Sequence, residues 1–283
     1  MNIIEDKRII TEAYFDGINV SNIELFGRMK PHIDKVRPIL PLIEFILARM
    51  STVTELTIQQ SVWDAEIVYR TVLEALLKLI YITSSTPDER LIKINEYWND
   101  LSEINRLKQS DQAKKNLRQY RDNEMIKLAF SPLVLTETEE SILRSKWPKS
   151  RRGLLEQKWS FSEIVTSLMG SYNGLPAPHI VGILHSYRMA SHVAHGDETG
   201  ILIIKEREQR PEVAQSIAIF GHYIKLLSDS FNSCIALGME TMRFLEESPT
   251  FFLELNQSLK PIHDLAYTYQ MKLYDDPDYD RYR

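Results

Sequence analysis

Thirteen residues, HSYRMASHVAHGD (185–197), hold three of the chain's seven histidines and one arginine. Neutral imidazole takes a proton near pH 7 and imidazolium gives one, so histidine suits general acid–base work. The arginine fork of donors suits phosphate oxygens. Together these are what cleavage of an RNA phosphodiester requires: one group for the 2′-OH or leaving-group proton, another for the charged phosphate. At about 100° per residue on an α-helix, with His185 at zero, Arg188 falls near 300°, His192 near 340°, His195 near 280° and Ser191 near 240°. The four ionisable groups share one arc of about 80°. Ile183, Leu184, Tyr187, Ala190 and Val193 supply apolar contacts around the other faces.

The same residues admit two further readings. His192 and His195 could share a metal with His185, Asp197 or Glu198 as third ligand, the arrangement of a metal-dependent hydrolase, although the spacing matches no established zinc signature. Alternatively the seam is structural: histidine near a helix C-terminus gains from the macrodipole, and a His-Gly ending is ordinary capping. The residue types alone leave all three readings open.

These side chains need a helix that starts at Pro178, ends near His195 and is capped by Gly196. The clearest helix in the chain is another, SVWDAEIVYRTVLEALLKLIYI (61–82), with Val62, Tyr69, Val72, Leu73, Leu76 and Ile80 on one apolar stripe. Along the edge of that stripe lie Trp63, Glu66, Arg70, Glu74 and Tyr81. Glu66, Arg70 and Glu74 are spaced for ion pairs on both sides of the arginine. Thr71 and Lys78 fall on the opposite face, expected to be solvated. If the two helices meet, Glu66 or Glu74 could orient a histidine and Arg70 could join Arg188 at an anion.

Around them almost every periodic stretch repeats at helical spacing. Helices are expected over 10–30, from the Pro31/Pro38/Pro41 cluster to about Arg49, and from Pro87, with Thr86 as N-cap, to about 128 with a break near Ser110. Residues 131–160 read as irregular with short helical turns, and 161–169 as a short helix before the loop GSYNGLPAP. GDETG reads as a turn and ILIIKERE as a short strand or apolar loop. A long helix follows from about Pro211 to Glu247, broken by Ser248-Pro249, and a last helix to about Tyr274. The expected fold is all-α: a helical bundle of about eight or nine helices, with an N-terminal helical extension (1–55), a bundle core (56–274) and a disordered tail (275–283).

Composition narrows the function classes. The 283 residues contain 43% hydrophobic and 26% charged residues, ordinary for a globular protein. One cysteine, Cys234, excludes an internal disulfide framework and a cysteine zinc site and fits a reducing compartment. With no signal-peptide-like N-terminus and no apolar run long enough to span a bilayer, a cytoplasmic, non-membrane protein is expected. No Gly-rich phosphate loop, dinucleotide fingerprint or Gly-x-Ser-x-Gly elbow occurs, and no cofactor is implied. Residues 106–158 carry 13 Lys/Arg against 7 Asp/Glu, whereas the remainder carries 21 against 32. Within this basic segment, RSKWPKSRRG sets Lys146, Lys149, Arg151 and Arg152 around Trp147, a pattern in which cations meet phosphate and an indole stacks on an unpaired base. The competing account is a solvated loop pinned by its tryptophans. Trp159 precedes an apolar helix and reads as core.

YRTVLEALLKLIYI, with Arg70 and Glu74, and YRMASHVAHGD, with Tyr187, Ser191 and His195, resemble the paired motifs of the bacterial DUF5677 proteins, helical proteins of unassigned function. The second stretch also resembles the HEPN signature, an arginine and a histidine four to six residues apart; here six residues separate Arg188 from His195. The resemblance spans roughly residues 56–247. It implies an α-helical, often dimeric bundle. Many HEPN proteins are metal-independent RNases of toxin–antitoxin, antiphage and CRISPR systems, with a composite cleft between protomers; others only bind RNA or a partner. By that analogy Arg188 holds phosphate and His195 transfers protons, with His192, Tyr187, Ser191, Arg70, Glu74, Glu66 and His185 in support. Met189 stands where active members often carry a polar residue. The leading expectation is therefore a homodimeric endoribonuclease, a toxin or defence effector with RNA and an antitoxin or regulatory protein as partners. The alternative is a non-catalytic RNA- or protein-binding module.

Overall fold

The computed structural model of the chain describes the backbone of residues 3–171, 177–257 and 260–274 and, within them, side chains other than those of 170–182, 261, 263, 270 and 272–274. The expected tail, 275–283, and the middle of the GSYNGLPAP loop lie outside the described residues. In chain order the helices are α1 (Ile3–Met29), α2 (Ile33–Val36), α3 (Leu40–Ile58), α4 (Val62–Thr83), α5 (Pro87–Asn95), α6 (Leu101–Gln119), α7 (Glu124–Phe130), α8 (Glu137–Lys146), α9 (Lys149–Lys158), α10 (Phe161–Ser171), α11 (Ala177–His195), α12 (Glu198–Glu208), α13 (Glu212–Leu245), α14 (Thr250–Gln257) and α15 (Lys260–Tyr274). No strand occurs among the described residues, so the fold is all-α. Helices outnumber the eight or nine expected because several short ones stand where loops were read.

The chain divides into two compact units, residues 1–84 with 168–283, and residues 85–167. In the first, α13 and α4 form the centre. Along α13, Phe220, Ile224, Leu227, Phe231, Cys234 and Leu237 are all buried. α4 packs against α3, α11 and α13. Enclosed on three sides, it leaves little of its fourth to solvent: Asp64 is exposed, but Thr71 and Lys78, expected in water, are half-buried. Residues 1–55 are no appendage. α1 and α3 both pack on α13, and Ile10, Tyr14, Leu25, Ile43 and Ile46 are core. Tyr14 and Thr54 share a hydrogen bond of 2.5 Å between α1 and α3, so even the polar tip of the tyrosine is satisfied indoors.

The segment ILIIKERE, read as strand or loop, is helical within α12. The Asp197 side chain caps that helix by accepting from the Gly200 amide at 3.1 Å. Past Ser248-Pro249 there are two helices, α14 and α15, rather than one.

In the second unit, Thr86 caps α5 through a full capping box with Glu89, as its sequence predicts. A π-helical turn (Glu96–Asp100) joins α5 to α6. α6 does not break at Ser110: that serine is buried, and its hydroxyl accepts from the Leu135 amide at 3.0 Å, which fixes an otherwise irregular chain segment onto the helix. Residues 137–146 and 149–158 are helices α8 and α9 rather than irregular turns. A second Thr-x-x-Glu capping box, Thr136 with Glu139, starts α8.

At Gly17 a side chain of α13 reaches the α1 backbone: a Cβ there would overlap the ring of fully buried Phe231. Gly27, on the same helix, has nothing within 4 Å of a Cβ. Gly17→Ala should therefore cost about 1–3 kcal/mol by overpacking. Gly27→Ala should be neutral or stabilising by up to about 1 kcal/mol through helix propensity. Urea denaturation of the two variants side by side checks both signs.

Candidate functional site

The two helices singled out by sequence do face each other: α11 packs on α4. The side chains of α11 then divide into three sectors. Tyr187 and Ser191 turn toward α4, His185, Ser186, Met189 and Val193 line a cleft, and Arg188 and His195 are exposed. The polar seam expected to form one site is divided around the helix: His185 lines the cleft, and Arg188 and His195 do not.

The α4 sector is a clamp. Arg70 donates through Nε to the Ser191 hydroxyl at 2.7 Å and through Nη2 to the Tyr187 hydroxyl at 2.7 Å. Its guanidinium also lies over the Tyr187 ring at 4.6 Å. Ser191 passes its own proton back to the Tyr187 carbonyl at 2.8 Å. Arg70 is thus occupied by two hydroxyls of α11 and does not join Arg188 at an anion. Glu74 does not orient a histidine either; it accepts from Lys78 at 2.8 Å, one turn on.

Glu66 does meet a histidine, but not on α11. Its partner is His222 of α13, at 3.0 Å, a residue that sequence reasoning did not select. Glu66 is 5% exposed. Desolvation alone would raise its pKa; the His222 bond and the Lys225 charge outweigh it and hold the carboxyl down to about 2. Arg207 of α12 donates to His222 Nδ1 at 2.8 Å. Because guanidinium only donates, Nδ1 must accept, so His222 is neutral with its proton on Nε2. Burial, with Arg207 adding to it, holds the His222 pKa below the ordinary 6.5 despite the Glu66 bond. Both ring nitrogens are committed, which suits a structural histidine rather than a proton-transfer group.

The outward sector is built by the turn after α11. Gly196 adopts φ +58° as the left-handed cap, and the Asp197 amide returns to the His192 carbonyl at 3.3 Å. A Cβ on Gly200 would strike that same carbonyl, so glycine is needed for α12 to fold back this closely. The result sets Asp197 against His192, with Nδ1 to carboxylate at 2.7 Å. The His192 bond and the Gly200 amide hold the Asp197 carboxyl below its ordinary range. As an ionised carboxylate it only accepts, so Nδ1 of His192 carries a proton and the carboxylate fixes the ring's orientation. Asp197 was read only as a candidate metal ligand; its role follows from an i, i+5 spacing across a helix cap, which a helical projection cannot bring together. Among the described residues no three potential ligands are grouped to hold a metal ion, so His185, His192 and His195 do not form the shared site considered for them.

The basic segment also differs from expectation. Trp147 is 2% exposed, and its indole N–H donates to Glu103 at 2.6 Å. Lys146 and Arg151 lie over its ring, so it is not offered as a stacking platform. Lys146 pairs with Glu103 at 2.6 Å and Arg144 with Glu140 at 2.7 Å. The window 106–158 left out the Lys146 partners Glu103 and Asp100: the whole unit, 85–167, has 15 Lys/Arg against 13 Asp/Glu. Lys149 and Arg151 are exposed and Arg152 half-buried. Trp159 is core, as read, and donates to Glu96 at 3.0 Å.

Among the described residues no helix is long and apolar enough to cross a membrane. Comparison with family models, with curated proteins and with solved structures finds no match.

Two outcomes follow from these contacts. Arg70→Met keeps the aliphatic packing but removes the charged donor shared by the Ser191 and Tyr187 hydroxyls, and should destabilise the protein by about 1–3 kcal/mol. Arg70→Lys should fail to recover it, since a single ammonium cannot reproduce the fork; equilibrium denaturation measures both. His222 is favoured neutral in the fold, so its contribution is complete above pH 6.5 and is lost as the pH falls below that value. Glu66, depressed from 4.5 to about 2, contributes in a separate, lower window between those values. Between pH 7 and 5 the wild type should lose stability more steeply than His222→Gln, as thermal melts across that range would show.

Proposed function

We propose that the exposed end of α11 is a metal-independent endoribonuclease site. The observation that supports this reading best is the His192–Asp197 pair at 2.7 Å, on the same arc of the helix as Arg188 and His195. In this scheme His192 Nε2 takes the 2′-hydroxyl proton as O2′ bonds to phosphorus. His195, entering as imidazolium, gives its proton to O5′ as the P–O5′ bond breaks. Arg188 offers its fork to the non-bridging oxygens. The products are a 2′,3′-cyclic phosphate and a 5′-hydroxyl, with protons and bonds balanced between the two histidines. Arg70, through Tyr187 and Ser191, positions the helix rather than touching substrate. The resemblance to HEPN proteins adds a second copy of the chain, whose own arc would complete the cleft.

The second reading is a non-catalytic RNA- or protein-binding module, favoured by the exposed cations Lys149 and Arg151. It expects binding that survives His195→Ala.

End-labelled single-stranded RNA in excess EDTA separates the two. Cleavage should leave cyclic-phosphate ends and should not occur at a 2′-deoxy position. His192→Ala, His195→Ala and Arg188→Ala should each reduce the rate by about 10²–10⁴-fold. Asp197→Asn, which still accepts a hydrogen bond but loses the charge, should shift the acidic limb of the rate–pH profile. Undiminished cleavage by both histidine variants, or no cleavage by the wild type, would sink the nuclease reading.

A further inference from the structure

The inner sector of α11 faces a cleft of about 550 Å³ within the first unit, lined also by α4, α12 and α13. That is within the usual size range for small-molecule sites. Its charges are not evenly answered. Lys225 has two carboxylates, Glu66 at 3.2 Å and Asp229 at 3.0 Å; burial works against its charge, but these neighbours prevail and raise its pKa. Arg210 has Glu206 at 2.7 Å. Arg207 lines the same cleft and, among the described residues, has no carboxylate within 4.0 Å. Its partners are the neutral His222 ring at 2.8 Å and the face of Trp63 at 4.6 Å. Burial, followed by the like charge of Arg210, holds the Arg207 pKa below the ordinary arginine value. The structure thus keeps an arginine half out of water, over an indole, with one of its five N–H groups donated to an imidazole. Both carboxylates that line the cleft are already held by other donors. A desolvated cation calls for an anion, and a guanidinium fixed between an indole and an imidazole is preorganised to receive planar or tetrahedral oxygens.

We propose that this cleft binds a small organic oxyanion, a molecule carrying a carboxylate or phosphate group, with Arg207 as its principal contact. Trp63 and His222 are positioning residues that fix the guanidinium. His222, the α13 histidine of the cleft, has both ring nitrogens committed, so its part there is to hold Arg207 and not to transfer a proton. The site does not rest on the nuclease proposed at the exposed end of α11.

The test titrates inorganic phosphate and, separately, acetate into the wild type by isothermal calorimetry and thermal melts, with chloride holding ionic strength constant. At least one should bind and raise the melting temperature, and the stronger of the two identifies the oxyanion class. Arg207→Met, which retains an apolar stem over Trp63, should weaken binding at least about tenfold, the value of one charge-assisted hydrogen bond. Arg207→Lys should recover part of it, and Lys205→Met, an exposed cation on the same helix, should leave it unchanged. Should Arg207→Met not fold, the wild-type, Arg207→Lys and Lys205→Met isotherms still decide. Equal affinity in Arg207→Lys and wild type, equal loss in Lys205→Met, or no binding of either anion to the wild type would overturn the proposal.

Discussion

A carboxylate buried in the middle of a helix must be met by donors or it will not stay ionised, and Glu66 imposes that condition on three helices. α4 supplies the charge, α13 answers with His222 and Lys225, and α12 completes the chain by placing Arg207 on the far nitrogen of His222. Each link dictates the state of the next. An ionised Glu66 requires a proton on Nε2, that tautomer leaves Nδ1 as acceptor, and an acceptor at Nδ1 holds an arginine. The apolar stripes of α4 and α13 supply most of the burial, but they permit sliding and rotation. The polar chain specifies which turn of one helix faces which turn of the other.

α11 shows how one short helix serves three neighbours. Its hydroxyls, Tyr187 and Ser191, answer the fork of Arg70. Its inner face closes a cleft, and its outer face carries Arg188 and His195 into solvent. Separation by about a third of a turn is enough to divide one cluster of polar letters into a clamp, a cavity wall and an exposed edge.

Periodicity made the all-α class, the long helices and the Thr86 cap legible, because apolar spacing and capping chemistry are local signals. The pairing of α4 with α11 could be suspected from two matching seams, yet the partners could not. Glu66 chose His222, a lone histidine in an apolar run of α13 with no visible motif. Asp197 reached His192 only because Gly196 and Gly200 turn the chain back. Trp147 and the cations around it appeared as a basic flap because their carboxylates, Glu103 and Asp100, precede the window in which the charge was summed. ILIIKERE looked like a strand because β-branched residues dominate its start; its Asp197 cap and its packing on α11 override that preference. What was hidden in each case depends on contacts distant in sequence.

Gly200 allows α12 to lie against the last turn of α11, and α12 is a single rigid rod. Its capping residue, Asp197, holds His192; ten residues on, about 15 Å away along the axis, Arg207 holds His222. One helix therefore carries a polar contact at each end, and a glycine sets how near its first turn can lie to α11. The register of α12 is thereby fixed at two points along its length, by an exposed imidazole at its start and a buried one near its end.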